Sequence, residues 1–240
     1  APSVDSSLTP EPNPAPDPRA VARARFDAAL AAAWSWSAPE QNRATQSALS
    51  ALAEPDALDA VESSIARGIV ALGRRELAAA CDAFAAARAS REHWAAWMGA
   101  AECQTRDSAV VADAEGTLEF RSSLYAAAVA YREAGRLATA RDRSLAYSRL
   151  PHVLFTDAAR VRRGYGEDGR VVLGQPIAIG DSIGFEAFVP GPRRRTPESM
   201  AATDRAIAIA RGMLRPALVD WIAADSANVR ARELMLELLE

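Results

Sequence analysis

Lysine is missing from this 240-residue chain, and all 28 of its basic residues are arginine. Without lysine there is no Schiff-base chemistry, no P-loop lysine on a phosphate and no kinase strand lysine. A GC-rich genome accounts for the bias toward arginine. Cysteine and histidine are scarce, at two each, and aromatics make up 6% of the residues. The spacing of Cys81 and Cys103 matches no zinc motif, and no histidine cluster completes a site. No apolar run reaches the ~18 residues needed to cross a bilayer as a helix. The net charge is −3, so no overall basic field draws in nucleic acid or anionic lipid.

What remains is 50% apolar and rich in alanine. Alanine loses almost no side-chain entropy in a helix, so a mainly α-helical chain is expected. Residues 1–18 form a different region. Proline at 10, 12, 14, 16 and 18 gives an extended polyproline spacer, of the kind that separates a folded domain from a membrane anchor. The chain opens without Met and closes on "LMLELLE", inside a helix. Both ends read as cuts, with a signal peptide, anchor or upstream domain removed in front.

Helical punctuation then sets in. Asp17-Pro18 starts a helix with Phe26, Leu30, Ala33 and Trp34 on one face, and Ser37-Ala38-Pro39 starts a second. A third holds Val61, Ile65, Ile69 and Leu72 at helical spacing. A turn at Gly73 leads to a helix with Ala80, Phe84 and Ala87, and His93 opens the helix "EHWAAWMGAAEC". The small–small–aromatic–small offsets of Gly68, Ala80, Phe84 and Ala87 resemble the tetratricopeptide repeat. Trp97, Gly99, Ala101 and Cys103 resemble the first helix of a second repeat. The resemblance covers roughly residues 57–137 within a helical region 19–150. It implies antiparallel helix hairpins stacked into an array whose concave face holds a peptide or protein. Family members that grip C-terminal carboxylates use lysines, so that ligand class is not expected here.

The long connection "QTRDSAVVADAEGTLEFRSS" departs from the repeat, and a helix is expected to resume near Leu118, with Gly135 interrupting it. With "FRSSLYAAAVAYREA" this region also resembles the tails of some bacterial Ser/Thr kinases, which would place the chain downstream of a kinase. After Pro151 the short stretches "ARVRR", "RVVLG" and "IGFEAFV" read as a small antiparallel hairpin or meander over 151–196. Terminal helices over 197–240 are expected to start at Thr196-Pro197, at Pro216 and at Asp225-Ser226.

Inside the β-rich stretch, Gly164, Gly166, Gly169 and Val171 satisfy G-x-G-x-x-G-x-V. A dinucleotide loop would need a helix behind it, and a kinase loop would need lysine, His-Arg-Asp and Asp-Phe-Gly. None of these is in the sequence, and Glu167 and Asp168 would repel phosphate. The motif reads as a glycine-rich hairpin turn.

Cys81 and Cys103 fall on neighbouring helices. Either a disulfide or two small buried thiols would fit, and the thiols are favoured. His93 and His152 read as surface or capping residues. Arg162, Arg163, Arg170, Arg193, Arg194 and Arg195 form the one basic concentration. It is either a docking patch for an acidic partner, phosphate or lipid headgroup, or a solvated loop balanced by nearby acids. Trp94 and Trp97 either pack the repeats or line a peptide groove.

The expectation is a non-enzymatic interaction or scaffold module with no metal or cofactor. It would bind another protein or peptide on the extracytoplasmic side of a bacterial membrane, near a removed N-terminal anchor. Two alternatives stay open: the sensory tail of a receptor-type Ser/Thr kinase, and an enzyme or anion-binding protein using the arginine-rich insertion.

Overall fold

The structure is a computed structural model describing residues 16–107, 110–112, 118–120, 123–163, 176–179, 182–185 and 197–239. The described part is mainly helical. Helix α1 (Pro18–Ala33) starts where Asp17 accepts from the Arg19 amide at 3.1 Å and Pro18 presets φ. Ala22, Phe26, Ala29 and Leu30 form its buried stripe. Helix α2 (Ala38–Leu52) has Pro39 in its first turn.

Helix α3 (Ala60–Gly73) opens on a reciprocal capping box. The Asp59 carboxylate accepts from the Glu62 amide at 2.8 Å, and Glu62 accepts from the Asp59 amide at 3.1 Å. Helices α4 (Leu77–Ser90), α5 (Trp94–Arg106), α6 (Leu124–Leu137), α7 (Ala140–Tyr147), α8 (Leu150–Arg163), α9 (Pro197–Ala224) and α10 (Val229–Leu239) follow.

From α1 to α7 each helix packs on the next, and α1–α3 and α3–α5 touch as well. Contact between every second helix is the signature of stacked hairpins, which makes the molecule a helical array. Phe84, fully buried on α4, is wedged between α3 and α5. A Cβ on Gly68 of α3 would lie 2.6 Å from its ring, and one on Gly99 of α5 would overlap it. Glycine at both positions lets the ring sit against bare backbone on either side, with the Trp34 ring 6.1 Å away. Ala80 and Ala87 are buried beside it. The offsets read from the sequence are those of this close approach.

Several local expectations need correction. The turn after α3 belongs to Arg75 (φ 63°), not Gly73. Gly73 is the last helical residue, pressed on Thr45. The Arg75 amide donates to the Leu72 carbonyl and the Glu76 amide to that of Ala71, a Schellman closure. Leu118 does not begin a helix: Leu118–Phe120 is strand β2, antiparallel to β1 (Val110–Ala112), with Val110 opposite Phe120. Helix α6 starts only after Ser123, whose hydroxyl accepts from the Ala126 amide at 3.1 Å. Gly135 does not break α6; it makes room for the Tyr147 ring.

The stretch "ARVRR" is not a strand but the end of α8. Pro151 falls in the first turn of that helix, where no intrahelical donor is needed. Pro216 lies inside α9 rather than opening a new helix. Buried Met213, Leu214, Ala217, Leu218 and Trp221 carry the packing across it. The last helix is capped by Asn228, which accepts from the Ala231 amide at 3.0 Å; Asp225 in turn accepts from the Asn228 side chain.

Between α8 and α9, β3 (Pro176–Ile179) pairs antiparallel with β4 (Ser182–Phe185), Pro176 opposite Phe185. The glycine motif at 164–169 and "RVVLG" lie outside the described residues. Among those residues, no helix is long and apolar enough to cross a membrane.

Candidate functional site

The residues named from the sequence do not assemble into one described site. Trp94 is buried at the start of α5, stacked on His93 at 6.2 Å. Trp97, one turn on, is half-buried under the Arg88 guanidinium, 4.1 Å from its ring centroid. Both rings are engaged inside the array. Arg162 and Arg163 end α8, with side chains outside the description, and Arg170, Arg193, Arg194 and Arg195 lie outside the described residues.

Cys81 and Cys103 form a disulfide between α4 and α5, with Cα atoms 5.8 Å apart. The reading favoured from sequence, two free thiols, gives way to that bond. The two residues face each other across the helix pair that Phe84 wedges together.

The strongest polar constellation escaped the sequence reading. Glu102 on α5 is 3% exposed and Arg149, between α7 and α8, is 6% exposed. One Glu102 carboxylate oxygen accepts from Arg149 at 3.0 Å and from the Tyr131 hydroxyl at 3.0 Å; the other pairs with Arg106 at 2.7 Å. Burial and the adjoining Glu102 carboxylate push the Tyr131 phenol far above its usual range, so it stays a donor. Three donors occupy the carboxylate, which anchors structure rather than standing free to move protons. The available signal was a carboxylate on the face of α5 that also carries Met98 and Gly99.

Arg149 also donates to the Trp34 carbonyl, tying the α7–α8 corner to the end of α1. Its guanidinium lies 3.8 Å from the centroid of the Trp36 ring. A small open cleft of about 20 Å³ between α1, α2, α3 and α5 borders the network, with Gln41, Thr45, Glu102 and Arg106 as its polar lining.

A second anchor sits on Asp220 of α9. It accepts from the Tyr147 hydroxyl at 2.7 Å and from Arg143 at 3.0 Å, while Arg143 also donates to the Gly135 and Ala138 carbonyls. Desolvation and the Asp220 carboxylate raise the Tyr147 phenol well above its usual range. A third cluster joins the N-terminal ends of α3 and α5. Arg23 meets Glu62 at 2.5 Å and Arg91 meets Asp59 at 2.9 Å, beside His93. Among the described residues, no group of three or more His, Cys, Asp or Glu is placed to hold a metal ion.

Comparison with protein-family models, with curated proteins and with solved structures gives no match. The class is therefore defined by the geometry: an array of consecutive packed helices, compatible with a helical repeat.

Proposed function

We propose that this chain is a non-enzymatic protein–protein interaction module on a tetratricopeptide-like array, working outside the cytoplasm near a membrane. The observation that carries the reading is the Phe84 ring seated between Gly68 and Gly99, with Ala80 and Ala87 buried beside it. This is the packing by which such repeats stack, and stacked repeats bind extended segments along their inner helices. The Cys81–Cys103 bond supports an oxidising compartment, since thiols in the cytosol are kept reduced.

The test is cross-linking of the tagged chain in its native cells, followed by purification at physiological salt and differential alkylation of the cysteines. A stoichiometric partner that Arg106→Glu releases, together with cysteines protected until reduction, supports the reading. Elution as a free monomer overturns the scaffold role, and cysteines that alkylate without reductant overturn the compartment.

A further inference from the structure

Arg149 is almost fully buried, yet the side chain that covers it is not. Trp36 is 72% exposed, and its ring centroid lies 3.8 Å from the Arg149 guanidinium. The indole stands between a charge and the solvent, braced edge-on by the His152 ring of α8 at 6.1 Å. Beneath it the guanidinium donates to Glu102 on α5 and to the Trp34 carbonyl at the end of α1.

These side chains join parts of the fold that otherwise pack elsewhere. Helix α1 packs on α2 and α3, and α8 on α6, α7 and α9. The α1–α2 corner is organised by bonds of its own. The Ser37 amide donates to the Ser35 hydroxyl at 3.1 Å, and the Gln41 side chain to the Ser35 carbonyl at 2.7 Å. Its fastening to the α7–α8 corner runs through Arg149, Trp36 and His152. Beside this junction the C-terminal ends of α1, α3 and α5 converge on the cleft of about 20 Å³, room for about one water. The array is closed at this end while the junction holds.

That junction depends on keeping water out. Charges in surroundings of low polarity interact strongly, whereas an exposed ion pair contributes little. The indole decides which regime Arg149 and Glu102 are in, and its exposure leaves few packing contacts to stop it turning. Release strands no charge, because Glu102 keeps Arg106 at 2.7 Å and Arg149 passes into water. We propose that Trp36 is the lid of a latch. With the indole over Arg149, the α1–α2 corner is fastened to the α7–α8 corner. When the indole swings off, water reaches the pair, the corner releases, and the ends of α1, α3 and α5 open. A partner that draws the exposed indole to itself opens the array in the same way, a consequence that rests on the interaction role proposed above; the latch itself does not.

Amide hydrogen exchange of Trp36→Ala and Trp36→Phe, read by NMR on the full chain, tests this. The Ser35 amide, bonded to the Ala32 carbonyl, and the Gln41 amide, bonded to that of Ser37, report the α1–α2 corner. The Val153 amide, bonded to the Arg149 carbonyl, reports the other side of the latch. Amides inside α3 and α5 report global stability. In Trp36→Ala the reporters on both sides should exchange about tenfold faster than in the parent, the factor a covered cation–π contact supplies, with α3 and α5 unchanged. Trp36→Phe keeps a ring over the guanidinium and should stay near the parent. Unchanged reporters in Trp36→Ala overturn the latch. An equal rise throughout α3 and α5 does so too, since the indole is then an ordinary contributor to global stability. A phenylalanine variant as open as the alanine one also overturns it. The chain is measured alone, so a failed latch leaves the cross-linking test of the interaction role intact.

Discussion

Arg149 donates to the backbone carbonyl of Trp34, 115 positions earlier in the chain. The same guanidinium bonds Glu102, so one side chain fastens the α7–α8 corner to both α1 and α5. Both partners of the ion pair are buried, with side chains 7% and 4% exposed. Removing Arg149 leaves the desolvated Glu102 carboxylate with Arg106 as its one remaining ion-pair partner among the described residues. Arg149→Met should therefore cost about 3–5 kcal/mol in urea unfolding. Adding Glu102→Leu to Arg149→Met should recover part of that loss, because no buried charge remains and the freed Arg106 is half exposed to water. A double variant less stable than Arg149→Met would contradict this account.

Glycine substitutions separate close packing from helix propensity. At Gly99 a methyl overlaps the Phe84 ring, whereas at Gly212 of α9 nothing lies within 4 Å of where it would go. Gly99→Ala should destabilise by about 1–3 kcal/mol through overpacking. Gly212→Ala should stabilise by up to ~1 kcal/mol, the ordinary helical preference for alanine. Chemical denaturation of the two variants under one condition gives the sign of each, and matching signs would refute the wedge.

These contrasts mark what was legible in the sequence. The helix starts at Asp17-Pro18, Ser37 and His93 were readable because caps and first-turn prolines act within a few residues. Phe84 with its small neighbours was readable because a repeat writes its packing at fixed offsets. Pro151 and Pro216 misled, because a proline marks a boundary only where packing does not override it. Pro151 falls in a first turn, and Pro216 is flanked by buried Leu214 and Leu218. The Glu102–Arg149 anchor was hidden for another reason: its members stand 47 positions apart and meet only once the array has stacked.

Arg75 occupies the left-handed C′ position after α3, which glycine adopts without steric cost. For an L-residue that conformation costs roughly 1–2 kcal/mol. Arg75→Gly should raise stability by up to ~1 kcal/mol, since glycine's greater freedom in the unfolded chain offsets part of the relief. Arg75→Val should lower it, as a β-branched residue fits this region poorly. Thermal melts of both variants check the ordering, and a Val variant as stable as the Gly variant would rule out strain at this turn.

His93 gives the fold a dependence on pH. Its Nδ1 accepts from the Ala95 amide at 3.2 Å, which requires the unprotonated ring. Burial, seconded by the positive charge of Arg91, lowers its pKa below the usual 6.5, against a smaller opposing pull from Glu62 and Asp59. A histidine with a depressed folded-state pKa binds fewer protons folded than unfolded. Its stabilising contribution is therefore present above the unfolded pKa and fades as pH falls from there through the lower folded value. Asp59 acts in the same sense at more acidic pH. Its pKa is lowered chiefly by the Glu62 amide, so its contribution goes as pH drops below the ordinary carboxylate range. Urea midpoints measured between pH 7.5 and 5 should fall for the parent chain. They should fall less for His93→Asn, whose amide oxygen caps the helix without titrating. Parallel curves for the two proteins would assign the acid sensitivity elsewhere.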